Sequence, residues 1–203
     1  MSEPRKLAVF DFDGTLIKGD SLWPFLTAVA GTPQAAIAAV EGLAVYYLRF
    51  YNNRLDPTLP DMRTYVKAHL LRKLLGGRKA GTFGPAIEKV RRWVKWNDSV
   101  RKSMLDHFAK GHQIVIASGA LNLYLPELLK DFPPHELLCT VVNVKNGTIT
   151  GEMVGDNCVR QWKAQRLSEY LAGQEPFDDS WGYGNIPHDQ QMLNLLKHQI
   201  IIS

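Results

Sequence analysis

Leu7-Ala8-Val9-Phe10-Asp11-Phe12-Asp13-Gly14-Thr15 is the stretch on which the reading of this chain turns. Its first four residues are an apolar run of the length expected for a fully buried strand. Two carboxylates follow, two residues apart, and then a glycine that frees the backbone. A bare Asp-x-Asp reads most simply as a pair of solvated carboxylates in a loop. Directly after a buried strand, the same pair makes a compact anionic site at the strand's end. Such a site suits a hard divalent cation with oxygen ligands, typically Mg2+. It also suits a carboxylate acting as a nucleophile toward phosphorus.

The rest of the chain frames this site. At 203 residues it can hold one sizeable core, or one core with an inserted second unit. An apolar share of 45% and a charged share of 22% are those of an ordinary globular protein rather than a disordered or membrane-embedded one. The formal charge of +4, with basic residues spread along the sequence, favours anionic substrates only mildly. It lacks the clustered stripe of a nucleic-acid binder, so no nucleic-acid partner is expected. Cys139 and Cys158 have no Cys-x-x-Cys spacing, so neither a disulfide framework nor a zinc site is expected. That usage fits a reducing cytoplasm, and residues 1–6 carry no long apolar stretch of the signal-peptide kind. The run from Ala35 to Tyr51 is apolar but interrupted by Glu41 and Arg49, and it is shorter than a spanning helix. A buried or membrane-grazing helix is expected there. Membrane contact is disfavoured overall but left open, and a monomer or homodimer is expected.

Outside residues 17–97 the chain alternates between strands and helices. Strand 7–10 is matched by a helix over Ser99–Lys110, closed by Gly111, and a strand over Gln113–Ala117. A turn at Ser118-Gly119 leads to a helix over Leu121–Lys130. Strands Cys139–Val144 and Thr148–Met153 flank Lys145-Asn146-Gly147, and Asn-Gly between such runs signals a hairpin. A helix over Val159–Leu171, a strand over Ser180–Tyr183, a helix over Gln190–Leu196 and a strand over Gln199–Ile202 complete the series. This order calls for an α/β fold: a Rossmann-like parallel sheet with helices on both faces. Residues 17–97 show no strand-like alternation. They read as helices over Ser21–Ala30, Pro33–Phe50, Leu59–Leu75 and Phe83–Lys95. The breaks fall at Gly31-Thr32-Pro33, Asn52-Asn53, Asp56-Pro57 and Gly76-Gly77 through Gly84-Pro85. The expected domains are an α/β core of 1–16 and 98–203 and an inserted all-α cap of 17–97.

In such sheets ligands bind beyond the carboxyl ends of the strands, and the polar clusters fall there. Ser118-Gly119 follows Ile114-Val115-Ile116-Ala117, where a hydroxyl and free N–H groups can bind a phosphate oxygen or simply cap a helix. Lys163 lies in the helix Val159-Arg160-Gln161-Trp162-Lys163. It could neutralise the carboxylate and a phosphoryl group, or sit on a solvated face. Asn185 and Asp189 offer oxygen-bearing side chains in the loop after Trp181-Gly182-Tyr183, where turn chemistry is the simpler account. His188 reads as an exposed loop histidine.

Together, Asp11-Phe12-Asp13-Gly14-Thr15, Ser118, Lys163, and Gly184-Asn185 with Asp189 resemble the four motifs of the haloacid dehalogenase-like hydrolases in order and separation. A helical unit between the first and second motifs is similar to the branch containing phosphoserine phosphatase, more closely its uncharacterised bacterial phosphatase-like members. The resemblance covers the core; the cap matches only as a helical insertion. It implies an Mg2+-dependent phosphomonoesterase in which Asp11 attacks phosphorus and becomes an aspartyl-phosphate. Asp13 would protonate the leaving oxygen and then activate water. Asp13, Gly14, Ser118, Gly119 and Lys163 would surround the phosphoryl group. Mg2+ would bind Asp11, the Asp13 carbonyl and Asn185, with Asp189 in support. Relatives commonly carry Asp where this chain has Asn185, which removes one negative charge from the metal site.

In this architecture the cap selects the substrate. Asp20 could meet a substrate amine or cap the helix beginning near Ser21. Arg63 and Arg72, with Lys67 and Lys73, could attract a second anionic group or form a charged outer face. The expected substrate is a small phosphorylated metabolite. Two alternatives stand beside it: a lipid-phosphate head-group phosphatase at the membrane surface, and a catalytically weakened phosphate-binding or regulatory protein.

Overall fold

The computed structural model describes residues 4–52, 54 and 61–202. Strand β1 (Lys6–Phe10) is buried along Leu7–Phe10, as its unbroken apolar run requires of a strand covered on both faces. It lies inside a six-stranded sheet with β2 (Gln113–Leu121), β3 (Glu136–Lys145), β4 (Thr148–Val154), β5 (Asp179–Gly184) and β6 (His198–Ile201). The spatial order is β4-β3-β2-β1-β5-β6. Neighbours are parallel except β3 and β4, which form an antiparallel hairpin. The hairpin turn is Asn146-Gly147, with φ of 51° and 74°, the left-handed pair that a tight two-residue turn demands.

Alternation along the strands sends successive side chains to opposite faces. Leu7, Val9, Val115 and Ala117 pack with Leu167 of α7 (Arg160–Ala172) and with Met192 and Leu193 of α8 (Gln190–Leu193). On the other face Phe10 meets His107 of α5 (Asp98–Ala109) edge-on, at 6.1 Å between ring centres. The sheet is therefore clothed on both sides, the α/β arrangement the sequence calls for.

The described chain divides into two compact units. The first comprises Met1–Ser21, Val94–Thr140 and Cys158–Ser203 and holds the parallel strands. The second comprises Leu22–Trp93 and Val141–Asn157. It contains α1 (Leu22–Ala30), α2 (Thr32–Tyr51), α3 (Met62–Leu70), a π-helical turn at Leu71–Leu75, a 3-10 turn at Ala80–Thr82 and α4 (Gly84–Trp93).

This differs from the expected division at 16/17 and 97/98. The boundaries fall at 21/22 and 93/94, and the second unit is not all-helical, because the hairpin tip joins it. Backbone bonds explain the attachment: Gly77 N–H donates to the Ile149 carbonyl (2.9 Å), Ile149 N–H to Arg78 (2.8 Å) and Ala80 N–H to Gly147 (2.9 Å).

Two further expectations are corrected. Ser118-Gly119 does not turn the chain, since β2 continues to Leu121 and its pairing with β3 merely shifts register between Ser118 and Leu121. Thr140 holds this extension, its hydroxyl donating to the Gly119 carbonyl (3.0 Å) and its carbonyl accepting from Asn122 N–H (3.0 Å). The helix expected over Leu121–Lys130 shrinks to α6 (Leu125–Leu128). Pro126 has no N–H to donate and fits only the first turn, so the helix cannot begin earlier. The breaks expected at Asn53 and Asp56-Pro57, and the helix start at Leu59, lie outside the described residues.

Candidate active site

β1 is flanked by β2 on one side and β5 on the other, the reversal of strand order where open α/β sheets bind ligands. Phe10 pairs with Ile116 of β2 and Tyr183 of β5. Asp11, Ser118 and Asn185 therefore all fall within two residues of these last paired positions, at one edge of the sheet. Asp11 N–H donates to the Tyr183 carbonyl (2.9 Å), so the strand ladder itself fixes the carboxylate's root.

The chain then folds tightly over the strand end. Ile17 N–H donates to the Phe12 carbonyl (3.0 Å) and Gly14 N–H to the Gly19 carbonyl (2.9 Å). Gly14 has φ of 78°, a left-handed conformation that a side chain resists. A Cβ there would also come within 3.1 Å of the Asn185 side-chain amide. Asn185 is thus seated directly against the loop carrying Asp13.

Asp11 is 3% exposed. Thr15 donates to its Oδ2 (2.8 Å) and Lys163 Nζ to its Oδ1 (2.7 Å). The same ammonium donates to Asp189 Oδ1 at 2.5 Å. Asp189 is clasped in turn by the loop after β5. Its Oδ2 accepts from Asn185 N–H (2.9 Å), and its own N–H donates to the Asn185 carbonyl (2.8 Å). Sequence reasoning left Lys163 open to a solvated face; the structure buries its side chain to 5% exposure between two carboxylates.

The electrostatics follow from one cation serving two anions in a site closed to water. Burial pushes the Asp11 carboxyl above its ordinary range; Lys163 offsets this only in part, and Asp189 adds to it. Burial disfavours the charge on Lys163, but Asp11 and Asp189 outweigh it and hold the ammonium above the usual lysine value. The three groups retain one uncompensated negative charge.

Asp13 lies beside them, half-buried, with Oδ1 accepting from Ser21 N–H (2.9 Å). Surrounding protein, and then the nearby charge of Asp20, raise its pKa from 3.8 to about 7. Ser21 shares a hydrogen bond with the buried Tyr124 hydroxyl (2.8 Å), whose pKa burial and Asp13 push well above the ordinary 10. Tyr124 therefore stays protonated beside Asp13.

The remaining expected residues take plainer positions. Ser118 is fully buried and its Oγ accepts from Ala120 N–H (3.1 Å), so that N–H is already engaged within the strand. Gly119 lies in the same strand extension. Asp20, and His188 in the loop after β5, are exposed in the first unit; Arg63 and Arg72 are exposed in the second. Sequence reasoning missed the supporting roles of Ser21, Tyr124 and Thr15. Only Thr15 had a signal, its place at the end of the opening motif.

Among the described residues no three His, Cys, Asp or Glu side chains form a metal-holding group. The donor set expected from the sequence is of another kind: the Asp11 carboxylate, the Asp13 carbonyl and the Asn185 amide, with Asp189 behind. These are hard oxygen donors around an excess of negative charge, which fits a small divalent cation.

Fold and site together define an α/β hydrolase with a buried carboxylate at the sheet's switch point. The chain belongs to the haloacid dehalogenase-like hydrolase family, whose model matches residues 8–194. A histidinol-phosphatase of Neisseria meningitidis serogroup C is 23% identical over 208 residues, covering 98% of this chain and 90% of that protein. Among solved structures, a protein of unknown function from Bordetella pertussis Tohama I superposes with a TM-score of 0.76 at 21% identity, covering 98% and 90%. A substrate-bound phosphoserine phosphatase superposes with a TM-score of 0.62 at 14% identity, covering 98% and 87%. The fold is thus that of the phosphoserine phosphatase-like branch.

Proposed function

We propose that this hydrolase is a phosphomonoesterase working through Asp11. The observation that carries the reading is the buried Lys163 ammonium bridging Asp11 and Asp189 at the switch point. An Asp11 oxygen forms a bond to phosphorus as the bond to the leaving oxygen breaks. Asp13 gives its proton to that oxygen, and a pKa of about 7 leaves it poised to do so near neutrality. It then takes a proton from water, whose oxygen attacks phosphorus and frees Asp11 with release of inorganic phosphate. Lys163 and Ser118, with Gly14 and Gly119 in the segments around them, steady the phosphoryl oxygens. Mg2+ bound by Asp11, the Asp13 carbonyl and Asn185, with Asp189 in support, would relieve the repulsion between Asp11 and an anionic substrate.

The substrate is proposed to be a small phosphorylated metabolite in the cytoplasm. A panel should begin with histidinol phosphate and phosphoserine, named by the relative and the structural neighbour. Incubation with p-nitrophenyl phosphate and Mg2+ tests the activity. Turnover by the wild type, abolished in Asp11→Asn, with labelled phosphate trapped on residue 11, is the expected result. Label elsewhere in an active protein would overturn it. Asn185 gives one specific ground for a second reading, a phosphate-binding regulator with weakened chemistry; it predicts retained phosphate binding and no turnover.

A further inference from the structure

Helix α2 buries a face of small residues, Ala35, Ala38 and Gly42. Val45 and Tyr46 pack against Tyr65 and Ala68, but most of its other large apolar side chains turn away. Ile37, Val40, Tyr47, Leu48, Phe50 and Tyr51 are exposed, from 49% for Tyr47 to 79% for Tyr51. Positions 37, 40, 44, 47 and 51 are spaced alternately three and four residues apart, which aligns them as one stripe along the helix. An apolar row this continuous marks an interaction surface rather than scattered exposure.

The unit that carries the stripe is basic. At the C-terminal end of α2 a cavity of about 530 Å³ is lined by Val45, Leu48, Arg49, Asn52 and Arg54. The whole second unit shares this sign. It holds twelve Lys and Arg against six Asp and Glu, a net of +6, leaving −2 on the first unit for the chain's +4. Basic residues are spread along the chain, but acidic ones are not: residues 22–93 contain four of the twenty. Among the described residues no single helix is long and apolar enough to cross a membrane. Helices α1 and α2 would suffice only together, and they are bent by 118° at their junction.

We propose that α2 docks this protein on an anionic lipid bilayer, lying in the plane of the surface. The stripe enters the boundary between head groups and acyl chains, and the net positive charge of the second unit draws it to the anionic surface. Tyr47 and Tyr51, within the stripe, are side chains of the kind that settle at such a boundary. A second copy of the chain is the poorer occupant, because pairing two stripes would bring two units of +6 together. The inference does not depend on the phosphatase reading.

Co-sedimentation with vesicles of phosphatidylcholine alone, and of phosphatidylcholine mixed with phosphatidylglycerol, tests it on the full chain. Binding is expected only to the mixed vesicles and weakens as salt rises. Arg54→Gln lowers partitioning by about fivefold. Val40→Ser with Tyr47→Ser and Tyr51→Ser abolishes it, while turnover of p-nitrophenyl phosphate stays unchanged in both variants. Asp11→Asn binds vesicles like the wild type even though its activity is lost. Absence of binding to the mixed vesicles overturns the proposal. So does binding that survives the serine substitutions, since charge alone would then suffice. A dimer in solution that those substitutions dissolve, with no vesicle binding, assigns the stripe to a second copy instead.

Discussion

At the scale of single residues the site is a problem of charge balance. Lys163 neutralises one of the two carboxylates it touches, so removing different members has opposite effects. Lys163→Met leaves Asp11 and Asp189 buried with no cation, and stability is expected to fall by about 3–5 kcal/mol. Asp11→Asn leaves one ammonium with one carboxylate, so stability in EDTA is expected to hold or rise while activity disappears. Urea denaturation of both variants in EDTA decides; equal losses would show that charge imbalance is not what strains the site. Asn185→Asp adds a fourth carboxyl group to the site, beside Gly14. It is expected to lower the melting temperature without metal, and to bring half-saturation by Mg2+ to a lower concentration both in activity and in the Mg2+-induced rise in melting temperature. Equal half-saturation in the two proteins would remove Asn185 from the metal site.

At the scale of elements, local chemistry was legible and distant attachment was not. The Asn146-Gly147 turn was readable because two left-handed residues in a row leave almost no other choice. Nothing in the hairpin's own sequence says that its tip joins the helical unit, since that depends on Gly77, Arg78 and Ala80, some seventy residues earlier. Another close approach is at Gly151, whose φ is 81° and where a Cβ would lie 2.5 Å from the Arg72 Cα and 2.9 Å from the Leu71 carbonyl oxygen. Neither is a flexible side chain that could move aside. Gly151→Ala is therefore expected to cost about 2–4 kcal/mol, from overpacking added to backbone strain. Gly147→Ala, with φ of 74° and open space around it, carries the strain alone, about 1–2 kcal/mol. Urea denaturation of the pair checks the difference, and equal losses would mean that the contact with the π-helical turn is not tight.

At the scale of the molecule, the parallel sheet was legible because Leu7–Phe10 and Ile114–Ala117 are unbroken apolar runs that only doubly covered strands tolerate. The four polar clusters were legible because each follows a strand. The helix over 99–110 that clothes the second face was legible too, but its histidine contacts were not, because His107 and His112 carry no hydrophobic signal. His107 Nδ1 and His112 Nδ1 nevertheless lie 2.8 Å apart, and His107 Nε2 bonds the Tyr183 hydroxyl at 2.9 Å. Trp181 stacks on His112 and on His198, which in turn bonds Asp179. Two ring nitrogens in contact can share one proton but cannot each hold one. Burial, and then His112 and Lys110, lower the His107 pKa from 6.5 to about 4, with Asp106 opposing weakly. Burial, Lys6 and Lys110 lower that of His112 against Asp179. For these two histidines the unfolded state therefore binds more protons than the folded one between about pH 6.5 and 4. Stability from the neutral pair is complete above 6.5 and is lost as pH falls through that window, on the order of 3 kcal/mol for His107. His107→Phe keeps a ring against Phe10 and removes the titrating group. Denaturation curves between pH 7 and 4 should show a shallower decline in the variant than in the wild type, whatever their difference at pH 7; parallel declines would mean that the pair gains its protons without opening this face of the sheet.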